Sequence, residues 1–391
     1  MKMQIESIKI KNYKALQNVE ITDISPMTII VGKHGVGKST FFDVFGFLRD
    51  CLNGNVKKAL DVRGGFKEVV SRQKNSENIC FEIKFRTGKD EPRVTYELAI
   101  SNVSGKPAIA KERLRFKRGD RGYGALWSML DFKNGEGIAV KGNPTSREEV
   151  KAQERIPQKL DSSDILAIKG LGQFSEFPYI AQFRKMIEGW NISDFRISSA
   201  VNLQDNVSSE RLSATGDNLS QVAKYMYENH PEKFNEILKK MSSRIPGVVD
   251  VIPESTIDDR LVLRFKDGAF KDPFLSKYAS DGTMKMFAYL ILLSDPSPSP
   301  LLCIEEPENQ LYPEILEILA EEFRVYASNG QIFVSTHSPD LLNAVELHEV
   351  IVFEKNDGYT SAKRLLDNSE IKNMVEYGDK LGWLWKQGLL D

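Results

Sequence analysis

The opening stretch alternates polar and apolar residues through Ile5, Ile8 and Ile10 and again through Val19 and Ile21, which predicts a strand hairpin. A short strand that reads as buried follows at Thr28 to Val31. It runs into a glycine-rich turn, after which Phe41, Phe42, Val44, Phe45 and Leu48 recur at helical spacing. From about residue 78 to 142 the period returns to two (CFEIKF, VTYELAI, AIAKERLRF), and the polar residues 143 to 162 read as a mobile loop. Helical patterns lie around 219 to 243. The Asp-Pro-Ser-Pro-Ser-Pro run at 295 to 300 breaks the chain before the apolar strand Leu301 to Ile304. Pro313 opens a helix that ends near Ala327, Asn329-Gly330 stops it, and Gln331 to Ser335 is another short strand. Strand and helix alternate here as in a parallel sheet covered by helices, so the fold class is α/β. No heptad pattern persists and no repeat of solenoid period occurs.

Length and composition narrow the function classes. The 391 residues suit a large core and more than one structural unit. A hydrophobic fraction of 41% with 28% charged residues is that of a folded protein, and a net charge of -2 argues against a uniformly basic DNA-coating protein. Cys51, Cys80 and Cys303 are too scattered to suggest a disulfide framework or a zinc site. The N-terminus lacks the apolar core of a signal peptide, and the longest apolar run, Phe287 to Leu293, is too short to span a bilayer. A cytoplasmic protein without a membrane partner is expected.

The chemistry begins at Gly32-Lys33-His34-Gly35-Val36-Gly37-Lys38-Ser39, which fits G-x-x-x-x-G-K-[ST] between an apolar strand and an amphipathic helix. Glycines let successive backbone N–H groups turn inward around phosphate oxygens, and the helix N-terminus adds its positive end. Lys38 is expected on the terminal phosphates and the Ser39 hydroxyl on magnesium. The loop, carried on to Thr40, predicts a nucleoside triphosphate with Mg2+; alone it does not separate kinases, GTPases, ABC and AAA proteins. Leu301 to Ile304 ends in Glu305-Glu306, an order that sets one acid on the metal and the next beside the attacking water. His337, in Ser335-Thr336-His337-Ser338-Pro339, follows the next strand, where open α/β sheets bind ligands, so it is placed to sense the γ-phosphate. Tyr278-Ala279-Ser280-Asp281-Gly282-Thr283 precedes an apolar helix and makes a second anion-accepting turn, which has a use if it serves the ATP of another protomer.

With these four motifs in order, the sequence resembles ABC-type ATPases of the RecF, SMC and OLD kind over most of residues 1 to 85 and 190 to 391. The resemblance implies an ATPase head, with a mixed or parallel P-loop sheet and an antiparallel β lobe, plus a helical lobe carrying the signature motif and a strand-rich insertion. Residues 1–85 would form the N-terminal half of the head, 86–190 the inserted subdomain, and 191–391 the helical lobe with the C-terminal half of the head. IESIKIKNYKALQNVEI looks like the family's opening strand pair, with Lys14 near the nucleotide. His34 stands where many ABC-type loops carry asparagine. Ser280 and Gly282 occupy the serine and second-glycine positions of the signature, and Glu305 to Pro313 looks like the Walker B and D-loop run of OLD-like ATPases. The resemblance also calls for a metal-linking glutamine, for which Gln204 is the candidate and Gln73 the competitor. No Toprim nuclease domain is expected after Trp385. The implied function is ATP hydrolysis at a shared homodimer interface, or in a higher homo-oligomer, gating a separate effector such as a nuclease, in defence against phage. The alternative is a RecF-like ATPase that grips DNA in repair or recombination. A transporter subunit is disfavoured by the strand-rich insertion and the Glu-Pro-Glu-Asn run. Lys111 to Tyr123 mixes basic and aromatic residues and reads either as a nucleic-acid contact or as a solvated hairpin. Leu381, Trp383, Leu384 and Trp385 form an apolar cluster suited to core packing or to docking a partner.

Overall fold

The computed structural model describes residues 4–74, 77–86, 88, 91–117, 126–142, 156–195, 204–245 and 247–390. The chain forms two compact units, one of residues 1–190, 346–378 and 388–391, the other of residues 191–345 and 379–387.

In the first unit, β1 (Gln4–Tyr13) and β2 (Leu16–Thr22) form the expected hairpin, and β3 (Met27–Val31) is buried along its whole length. A long helix, α1 (Lys38–Asn53), follows β3 through the glycine-rich turn. The chain then lays down β4 (Ile79–Arg86), β5 (Arg93–Val103), β6 (Lys106–Lys117), β7 (Leu126–Lys133), β8 (Glu136–Ala139) and β9 (Ile156–Lys159). These six join the hairpin in one eight-stranded antiparallel sheet of order β2-β1-β4-β5-β6-β7-β8-β9. In β4 strict alternation buries Ile79, Phe81, Ile83 and Phe85, as a half-covered antiparallel sheet requires. The loop expected over 143 to 162 needs correction, because residues 156–159 pair with β8 as a sheet edge. Main-chain bonding makes this strand, and Pro157 is tolerated because an edge strand can leave one N–H side unused; residues 143–155 lie outside the described part.

A short helix, α2 (Ala167–Leu171), and a longer one over Pro178–Glu188 follow β9. The same unit pairs β3 in parallel with Val350–Asn356, which turns back antiparallel as Tyr359–Arg364. Helix α1 is apolar on most sides, with Phe41 against Phe353, Phe45 against Trp190 and Phe47 against Tyr13 at ring separations of 5.6, 5.3 and 5.4 Å. Such a helix is fixed by packing rather than by local propensity.

In the second unit, β10 (Asn191–Ser193), β15 (Leu301–Glu305) and β16 (Gln331–Thr336) run parallel with β15 in the centre. An antiparallel sheet is built from β11 (Gln204–Asp205), β12 (Val248–Ser255), β13 (Arg260–Asp267) and β14 (Phe274–Leu275). The helical pattern over 219 to 243 divides into Leu219–Asn229 and Pro231–Arg244, since Pro231 has no N–H to continue the first helix. Helix α3 (Asp281–Leu293) is buried from Met284 to Leu292, and α4 (Pro313–Ala327) begins and ends where its proline and Asn-Gly signals put it. Two short helices complete the unit, α5 (Pro339–Asn343) and α6 (Leu381–Lys386).

Candidate functional site

The turn between β3 and α1 is shaped by backbone demands that only glycine meets. Gly37 has φ 107°, and a Cβ there would collide with the Thr360 hydroxyl; one on Gly32 would run into the Phe353 carbonyl. The Thr360 hydroxyl also donates to the Val36 carbonyl at 2.6 Å, tying the turn to the strand Tyr359–Arg364. Lys38 is 6% exposed, and its ammonium donates to the carbonyls of Gly32 at 2.6 Å and Lys33 at 3.2 Å. The cation is thereby held at the centre of the turn. His34, Gly35 and Ser39 face solvent, and Thr40 is half-buried.

One turn further along α1, Asp43 gathers a cluster that local sequence did not reveal. It accepts from Lys14 at 2.6 Å, Tyr13 at 2.7 Å and Arg63 at 2.7 Å, and Arg63 also reaches Asp50 at 2.9 Å. Burial acts to raise the Asp43 carboxyl, but the hydrogen bonds and positive charge of Lys14 and Arg63 outweigh it and hold it below the usual carboxylate range. Lys14, expected near nucleotide, is engaged with the first turns of α1.

In the second unit the parallel strands deliver three ionisable groups to one place. Glu305 closes β15 in register with Ser335 of β16. Glu306 leaves the strand in the left-handed conformation, φ 41°, and its N–H donates to the Ser335 carbonyl at 2.9 Å. His337 lies just beyond β16, with Nδ1 3.4 Å from Glu306 Oε1 and 3.6 Å from Glu308 Oε1. Glu308 was not singled out by the sequence. Its side chain is 9% exposed, and Oε1 accepts from the Thr336 hydroxyl at 2.7 Å and the His337 N–H at 3.0 Å. Glu308 Oε2 and Ser335 Oγ are buried with no hydrogen-bond partner among the described residues. Buried oxygen atoms left in that state at a strand terminus suit an additional ligand.

The turn before α3 packs on the same cluster. Ser280 caps the helix, accepting from the Thr283 N–H at 3.1 Å. Gly282 approaches the Gln310 carbonyl so closely that a Cβ would sit 3.0 Å from it, and the Gln310 amide donates to Asp281 at 3.2 Å. Lys285, buried and lowered in pKa by that burial, donates to the Asn309 carbonyl at 2.8 Å. Thus Ser280, Gly282, Glu305, Glu306 and His337 belong to one packed block. Gln204 lies on β11, paired with β13, and Gln73 is an exposed left-handed residue of the first unit. Within β6, Lys111 and Arg115 pair with Glu97 and Arg113 pairs with Asp131, which favours the hairpin reading over that stretch; residues 118–123 lie outside the described part. Among the described residues no helix is long and apolar enough to cross a membrane.

Two family profiles match the chain. One, described as an AAA ATPase domain, covers residues 3–262; the other, described as "AAA domain, putative AbiEii toxin, Type IV TA system", covers residues 192–343. Solved structures similar to this chain include the SMC head domain from Thermotoga maritima, at 15% identity and TM-score 0.46 over 92% of this chain and 98% of that one. An SMC head bound to the C-winged helix domain of ScpA is similar at 18% identity and TM-score 0.47 over 92% and 96%. The SMC head with an extended coiled coil bound to the C-terminal domain of ScpA from Pyrococcus furiosus has 16% identity and TM-score 0.48 over 96% and 100%.

Proposed function

Given that this chain belongs to the family of AAA ATPase domains, we propose that it hydrolyses ATP at sites completed between two copies of itself, and that closure of this homodimer gates a separate effector in the cytoplasm. Gly32 to Thr40 would cradle the phosphates through backbone N–H groups, with the Lys38 ammonium turned from its loop carbonyls to the terminal phosphates. Ser39 and Glu305 would hold magnesium, with Gln204 as a third candidate; these are oxygen donors, as that ion requires, and the unpartnered Ser335 Oγ beside Glu305 fits a polar ligand there. Magnesium, when bound, offsets charge on the terminal phosphates. Glu306 would orient and deprotonate the attacking water, and His337 would respond to the γ-phosphate.

The observation that carries the shared-site reading is the surface at the start of α3. Ser280 and Asp281 are exposed at a helix N-terminus, which attracts anions, and two exposed tyrosines, Tyr278 at 71% and Tyr312 at 76%, flank it. The chain has one phosphate loop, so a second anion-accepting turn finds its use on the nucleotide of a partner copy. A two-fold dimer converts this pair of half-sites into two equal ATP sites. The profile over residues 192–343, described by a toxin of a TA system, supports a setting in which the ATPase works with a second protein, and anti-phage defence is the setting proposed. The test mixes two inactive proteins, Lys38→Ala and Ser280→Arg. A mixed dimer pairs one intact loop with one intact signature turn, so ATPase activity should return. If fluorescence shows that subunits exchange and no activity appears, the shared-site reading is wrong.

A further inference from the structure

His337 is the first residue past β16, where strand partners no longer satisfy both of its backbone groups. Side chains take over both. Glu308 Oε1 accepts its N–H at 3.0 Å, and the Trp385 indole N–H, 48 residues further along the chain, donates to its carbonyl at 3.1 Å. The neighbouring residues are tied in as well. The Thr336 hydroxyl donates to the same Glu308 oxygen and accepts the Ser338 N–H at 3.0 Å, and the Ser338 hydroxyl caps α5 through the Leu341 N–H at 3.3 Å.

The indole is itself held rigidly. Helix α6 packs on α5 so closely that a Cβ on Gly382 would overlap the Pro339 carbonyl, and the Gly382 N–H donates to Asn343 Oδ1 at 2.8 Å. Leu381 and Leu384 are buried at 4% and 0% exposure and anchor the helix, while Trp385 reaches back to His337. An indole has one donor and no acceptor, so its polar atom is committed to that carbonyl.

We infer that Trp385 and Glu308 are positioning residues that clamp the backbone of His337 from its two sides, making α6 a working part of the nucleotide-responsive site. The inference rests on the proposed role of His337. Its mechanical content is that the imidazole keeps its place beside Glu306 only while both bonds hold. A displacement near 1 Å at a reacting centre costs up to about a hundredfold in rate. Loss of one of the two bonds is therefore expected to lower kcat by about tenfold, with binding of ATP left intact.

The experiment compares Trp385→Phe, which keeps the ring but loses the N–H, with Glu308→Ala, His337→Ala and the double variant His337→Ala/Trp385→Phe, all in the full chain. Expected for Trp385→Phe are a kcat lowered about tenfold, an unchanged KM and melting temperature, and no further loss when it is added to His337→Ala, the signature of acting through that residue. Glu308→Ala should fall further, and if it fails to fold, Trp385→Phe still decides. A wild-type kcat in Trp385→Phe while His337→Ala is impaired overturns the clamp. So does an equal loss in both backgrounds. A wild-type kcat in His337→Ala instead removes the proposed role of His337, and the clamp falls with it.

Discussion

Glu306 combines a strained backbone with the proposed base, and the two properties can be separated by substitution. Its φ of 41° is left-handed, where an L side chain costs about 1–2 kcal/mol, and Gln310 at φ 67° closes the same turn. The strain is maintained by the N–H bond to Ser335 at 2.9 Å and by the Asn309 N–H and side-chain amide, each 3.2 Å from a Glu306 oxygen. Glu306→Gly relieves the steric cost but gives the unfolded chain about 0.5–1 kcal/mol more backbone entropy to lose, so stability should stay within about 1 kcal/mol of the parent. Glu306→Val forces a β-branched side chain into the same left-handed well and should lose about 1–3 kcal/mol. Hydrolysis follows a different order, because glycine and glutamine both remove the base and each should slow turnover by about 10²–10⁴-fold. Glu306→Gln should still bind ATP. The assay pairs urea midpoints, compared at equal slope, with phosphate release under saturating ATP. A Glu306→Gly protein destabilised by more than about 2 kcal/mol would mean the turn does not need the left-handed geometry. Rapid hydrolysis by either the glycine or the glutamine variant would remove Glu306 from the role of base.

Two further outcomes are expected. Lys38→Ala removes a buried ammonium that forms charged hydrogen bonds, each worth about 1.5–3 kcal/mol, so the Kd for ATP should rise at least about a hundredfold by equilibrium titration; near-normal affinity would refute the phosphate-loop assignment. Glu112 gives a pH signature: burial pushes its carboxyl from 4.5 up to about 7, only partly opposed by the Ala167 and Ile168 N–H groups and the Tyr96 hydroxyl. Because the folded value lies above the unfolded one, the stabilisation is complete below about pH 4.5 and is lost as pH rises through about 7. At about 1.4 kcal/mol for each tenfold change in proton affinity, the wild type should lose about 3 kcal/mol relative to Glu112→Gln across that window, measured by denaturation at several pH values. A flat difference, or one of opposite sign, would contradict the buried-carboxyl argument.

What the sequence disclosed follows from how locally each feature is encoded. The turn between β3 and α1 needs glycines at fixed offsets between an apolar strand and a helix, so its shape was legible in residues 32 to 40, and the phosphate role proposed for it rests on that pattern. Glu305 and Glu306 were likewise legible, being the end of an apolar strand. The Asp43 cluster was not, because Tyr13, Lys14 and Arg63 come from three separate segments and meet only after β1 and α1 have packed. Trp385 was hidden for the same reason. The composition of α6 announced an apolar cluster, while the useful atom was its single polar one, whose partner is a backbone carbonyl that no side-chain pattern records.

Glu112 is the more instructive omission, because a signal for it existed. Along β6 the apolar residues Leu114 and Phe116 set the phase of the face that alternation turns toward the core, and Glu112 falls in that phase. The bulge hides it. Ala99 faces Lys111 and Ile100 faces Ile109, so Ala110 is an extra residue, and the inward phase runs through Ile109 on one side of it and through Glu112 and Leu114 on the other. A carboxyl carried inward by that shift must find donors, and the chain supplies them from the first turn of α2, where the Ala167 and Ile168 N–H groups have no partner within the helix. The burial of Glu112 and the placement of α2 are thus one solution to two unsatisfied demands, a charge without donors and a helix start without acceptors, and only the first could be suspected from sequence.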